Sequence, residues 1–75
     1  MWVVYGYDKG EDTPVFEYEL PGLTTDAVRA VVDESGVHPW DGGWPVEGAV
    51  LALLREHVPK SLRLERRECF LEYRD

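Results

Sequence analysis

The side chains with the most chemical reach in this 75-residue chain are two histidines, one cysteine and three tryptophans. His38 and Asp41 stand three apart, interleaved with Trp40 and Trp44. The segment that holds them, residues 36–45, also carries three glycines and two prolines. An imidazole beside a carboxylate can serve as an acid–base pair. It can equally share one hydrogen bond that orders a loop, and ordering is the expected role here. Trp40 and Trp44 have two readings of their own. Tryptophan buries a large rigid area and keeps a polar handle, which suits an interface anchor. A long loop in a small protein also needs aromatic anchors simply to stay folded.

Cys69 sits in a Cys-Phe-Leu run, which predicts a buried, inert thiol rather than a nucleophile. A single cysteine excludes an internal disulfide framework. His38, His57 and Cys69 could supply zinc ligands by number, but their spacing matches no zinc pattern. Asp8, Glu11 and Asp12 lack the twelve-residue calcium-loop arrangement. Gly42-Gly43 is followed by no Lys-Ser/Thr and belongs to no dinucleotide fingerprint. No metal, cofactor or catalytic residue is expected, and the chain reads as a non-enzyme.

The formal charge is −7. Residues 1–35 hold eight acids and two bases, residues 36–60 three and two, and residues 61–75 four and four. The acidic field therefore lies on the N-terminal half. Such a balance opposes non-specific nucleic-acid binding, which depends on Lys and Arg meeting phosphate. It favours solubility and, if there is a partner, a basic one. Arg63, Arg66 and Arg67 make a local basic spot, but Glu65 and Glu68 interrupt it. That favours ion pairs within the protein or a dimer over nucleic acid. The opening Met1-Trp2-Val3-Val4 has no basic leader, and no run approaches the ~20 apolar residues of a membrane helix. A cytoplasmic location with no membrane contact is the expectation.

Elements must position these groups. Residues 2–7 are β-branched and aromatic, as a strand requires. Residues 14–20 alternate, with Phe16, Tyr18 and Leu20 on one face and Val15, Glu17 and Glu19 on the other. The polar turn 8–13 joins them as a hairpin. In the first strand, Val3, Tyr5, Tyr7 and Trp2, Val4, Gly6 are both apolar sets, so its facing stays open. Pro21-Gly22 ends the second strand, Thr24 or Thr25 caps a helix, and Gly36 ends it. Val28, Val31 and Val32 share one face of that helix. Trp44-Pro45 is expected to open a second helix over residues 46–57, with Val46, Ala49, Val50, Leu53 and Leu54 as its stripe. Pro59 stops it. Residues 61–74 return to period two, broken at 65–68 by a bulge or by a loop before a short strand at 68–73. The charges of Arg63, Glu65, Arg66, Arg67 and Glu72 are expected on a solvated sheet face. The result is one α+β domain over residues 1–75. Its order is β-β-α-α-β, a three-stranded antiparallel sheet packed against two helices.

Tyr7-Asp8-Lys9 before the turn and Phe16-Glu17-Tyr18-Glu19-Leu20 after it carry a resemblance. With Leu23-Thr24-Thr25-Asp26 and Trp44-Pro45-Val46, the chain resembles a group of small uncharacterised bacterial proteins that open with this hairpin. Some small acidic proteins of that kind resemble immunity proteins, which neutralise toxins. The resemblance assigns no residue a role.

The leading expectation is a non-enzymatic protein-binding domain, an immunity-type inhibitor of a basic toxin. Glu17 and Glu19, with Glu11 and Asp12, would steer the partner; Trp40, Trp44, His38 and Asp41 would form the contact. Two alternatives are a homodimeric accessory domain and a small-ligand site in the 36–45 loop.

Overall fold

The computed structural model describes residues 1–35 and 43–74, and the side chains of all of these except 33–35. β1 (Trp2–Tyr7) and β2 (Phe16–Leu20) form the hairpin. α1 (Thr25–Ser35) follows, then β3 (Trp44–Pro45), α2 (Gly48–Arg55), a 3-10 turn at Leu64–Arg66 and β4 (Glu68–Tyr73). The sheet has four strands in the order β2-β1-β4-β3, with every neighbouring pair antiparallel. This corrects the expected three-stranded sheet. β4 returns to lie beside β1, and Trp44-Pro45 adds a two-residue strand at its far side.

β3 escaped the sequence reading because it is short and contains proline. Proline cannot donate to a ladder, so it is confined to sheet edges. Trp44 and Pro45 occupy such an edge, opposite Leu71 and Phe70. Gly43 makes the approach possible. Its φ is +96°, and a Cβ there would lie 2.3 Å from the Leu71 carbonyl oxygen. The expected helix start at Trp44-Pro45 is corrected with it. α2 begins at Gly48, after the Val46 amide has bonded the Cys69 carbonyl at 2.9 Å. Of the two readings of residues 61–74, the loop before a short strand at 68–73 is the one observed, and the ladder starts at Glu68. Arg63, Glu65 and Arg66 therefore lie outside the sheet.

Thr24 caps α1: its hydroxyl oxygen accepts the Ala27 amide at 3.2 Å. Val28 is buried and Val31 and Val32 pack partly buried against the same core. From α2, Val50 and Leu54 enter fully. The inner sheet face supplies Trp2, Val4, Leu20, Cys69 and Leu71. The register settles the facing of β1. Trp2, Val4 and Gly6 stand opposite Leu20, Tyr18 and Phe16, so they share the inner face. Both helices pack there. Gly6 is small for a reason, since the Phe16 ring lies where its Cβ would be, 2.1 Å away. Among the described residues no helix is long and apolar enough to cross a membrane.

Candidate functional site

Side chains alternate across a strand, so the partners of the inner set form a second surface. Val3, Tyr5 and Tyr7 of β1 point outward. Register places Glu19 and Glu72 on either side of Val3, Glu17 and Phe70 on either side of Tyr5, and Glu68 beside Tyr7. Pro45 extends the Tyr5 row beyond Phe70. No helix among the described residues covers this outer face. It has an apolar and aromatic middle bounded by carboxylates. Val3 shows 0 % exposure even so.

The aromatic groups are fixed rather than loose. Tyr7 and Phe70 meet edge to face with centroids 5.9 Å apart. Arg74, just after β4, crosses the face. Its Nη2 donates to the Tyr5 hydroxyl and to Glu17 Oε2, the latter at 3.1 Å. Its Cζ lies 5.5 Å from the Tyr5 ring centroid. These hydrogen bonds, first to Tyr5 and then to Glu17, hold the guanidinium above its ordinary pKa. Main-chain bonds secure the same residue. The Arg74 amide donates to the Met1 carbonyl at 2.8 Å, and the Met1 nitrogen donates to the Arg74 carbonyl at 2.7 Å.

Of the residues singled out in the sequence, Glu17 and Glu19 stand together on this face and are exposed. Trp44 stands on the other side of the sheet. It is half-buried and meets Trp2 edge to face at 5.8 Å. Its indole N–H has no hydrogen-bond partner among the described residues. His38, Trp40 and Asp41 lie outside the described residues. The basic spot breaks up, with Arg67 bonding Asp8 at 2.9 Å next to the hairpin turn. Cys69 is 5 % exposed and its thiol donates to the Leu64 carbonyl at 3.2 Å. Burial pushes that thiol above its ordinary value, Arg67 works against the rise and Glu65 with it. Among the described residues no three His, Cys, Asp or Glu side chains gather as metal ligands.

A family model described as "Domain of unknown function (DUF7683)" matches residues 1–72. The chain belongs to the DUF7683 family. The matched span takes in every strand and both helices except the last residue of β4. Among curated proteins and among solved structures, no match to the chain was found.

Sequence reasoning singled out Glu17 and Glu19 but not Tyr5, Tyr7, Phe70, Glu72 and Arg74, which share their face. The signal was present as the second phase of each strand's alternation. In β4 that phase is Glu68, Phe70 and Glu72, and Arg74 just after the strand continues it. It became a surface only when β4 was placed beside β1.

Proposed function

We propose that this DUF7683 domain is a non-enzymatic binding module for a basic protein, an immunity-type inhibitor acting in the cytoplasm. The observation that carries this reading is the outer sheet face, which no helix among the described residues covers. Tyr5, Tyr7 and Phe70 give it rigid aromatic area, and Glu17, Glu19, Glu68 and Glu72 give it charge. Tyrosine and phenylalanine suit the desolvated centre of an interface. Peripheral carboxylates steer a basic partner and raise its association rate. Phosphate-bearing partners would be repelled. A second copy of the chain, docked through this face, would set carboxylate against carboxylate, so the face favours a basic partner over a homodimer.

The test uses paired baits in an extract of the source cell: wild type and the charge-reversed Glu19→Lys/Glu72→Lys variant. A basic protein retained by wild type and lost by the folded variant is expected. Stopped-flow association of the purified pair should then slow with added salt and with charge reversal. An association rate unmoved by either would overturn the reading.

A further inference from the structure

Arg74 shows that the outer face already takes a guanidinium. One nitrogen of Arg74 meets both the Tyr5 hydroxyl and Glu17, and the cation lies close to the Tyr5 ring. That single nitrogen serves both oxygens while the guanidinium carbon lies 5.5 Å from the Tyr5 ring centroid; a planar, weakly hydrated guanidinium suits an aromatic neighbour better than the compact, strongly hydrated ammonium of lysine. Arg74 and Glu17 are nevertheless half-exposed, with side chains 41 % and 50 % accessible. Exposed pairs of this sort are weakly held. The main chain at Arg74 is fixed by its two bonds with Met1, so its side chain can leave by rotation alone. Glu72 lies two residues earlier, on the same outer face of β4. Among the described residues Glu72 and Glu19 form no ion pair.

We propose that Tyr5 and Glu17 form an arginine slot that Arg74 fills from within the chain, and that an arginine of the basic partner enters by displacing it. The proposal rests on the binding face described above and adds its recognition chemistry. The exchange leaves Glu17 paired throughout and adds one positive charge to the acidic face. Glu17 trades one guanidinium for another, and the displaced Arg74 passes to Glu72. The slot selects arginine over lysine, whereas the surrounding carboxylates accept either.

The probes are two capped peptides, one with three arginines alternating with glycine and one with lysines in their place. Each is titrated at low salt into wild type, Arg74→Ala, Arg74→Gln, Glu17→Gln and Glu19→Gln/Glu72→Gln. Nuclear magnetic resonance follows the Tyr5 ring and the Arg74 Nε–H. Emptying the slot should tighten the arginine peptide by about threefold or more and the lysine peptide by less. Glu17→Gln should erase the preference for arginine. In wild type, the arginine peptide should shift the Arg74 Nε–H as its contact with Glu17 breaks. Removing Arg74 also makes the face more acidic, so equal tightening of both peptides would overturn the slot and leave the acidic binding face standing. No change in either peptide with Arg74→Ala, alongside weakening by Glu19→Gln/Glu72→Gln, would do the same. Binding unaffected by any of the carboxylate changes would overturn both. Arg74→Gln keeps a long side chain in place and separates loss of the guanidinium from loss of packing.

Discussion

Trp2 and Trp44 meet edge to face, ring centroids 5.8 Å apart and planes inclined at 62°, at the point where the first strand and the edge strand cover the same core. Trp2 is fixed on its other sides as well. Its indole N–H donates to the Thr25 hydroxyl at 3.2 Å, and Tyr73 packs against it at 5.2 Å. The pair joins the hairpin to the strand that precedes α2. Replacing Trp44 by Ala should therefore lower stability by about 2–4 kcal/mol, since the ring is only half-buried. Urea unfolding followed by circular dichroism measures it. A change within a few tenths would mean that the ring contributes no packing. Any loss of binding in that variant must be read against this cost.

Gly43 should tolerate no side chain. Its positive φ and the 2.3 Å approach to the Leu71 carbonyl both fall on backbone, which cannot swing aside. Gly43→Ala should lower stability by at least ~1–3 kcal/mol and detach β3 from β4. Hydrogen exchange at the Val46 amide, bonded to the Cys69 carbonyl, should accelerate before the β1–β2 amides do. Unchanged protection at Val46 would refute the account.

Cys69 gives an alkaline signature. Below the thiol's ordinary value of 9.0, folded and unfolded chains both hold the proton, and the stability tied to the neutral thiol is fully present. Above it the unfolded chain releases the proton while burial keeps the folded thiol protonated. Stability is then lost as pH climbs from that value through the raised folded value. The urea midpoint of wild type should fall more between pH 8 and pH 10 than that of Cys69→Ala. Parallel declines would show that the thiol does not titrate across folding. Alkylation of Cys69 by iodoacetamide at pH 8 should follow unfolding rather than direct attack.

The Asp8–Arg67 pair links the hairpin turn to the start of β4 at 2.9 Å, with both side chains well exposed. Asp8→Asn should cost about 0–1 kcal/mol, and the difference should vanish in ~1 M salt. A loss several times larger, or one independent of salt, would mean that Asp8 is part of the turn rather than an ion-pair partner.

Thr24→Ala removes the oxygen that accepts the Ala27 amide and should cost about 1 kcal/mol, read from the thermal midpoint. Its neighbour Thr25 offers a contrast. Thr25→Val keeps the shape but leaves the Trp2 indole N–H without its acceptor. Its effect should appear in the tryptophan emission spectrum. If both variants melt with wild type, the capping assignment is wrong.

The sequence by itself determined the local elements whose physics is local. Alternation in Phe16–Leu20 assigned the inner and outer faces of β2, and the valine spacing gave α1 its buried stripe. The threonine before α1 marked its start. The apolar Cys69 and Leu71 pointed to a strand packed inward. What only the tertiary structure decided was adjacency. Both phases of β1 are apolar, so its facing depended on strands lying on either side of it. Trp44-Pro45 has too few residues and too poor a propensity to declare a strand; it pairs because β4 offers an open edge and Gly43 lets the backbones meet. The Arg74–Tyr5–Glu17 cluster is drawn from three strands' ends and faces. A contact between residues so far apart in the chain has no local signature, because its energy exists only once the sheet has brought them together.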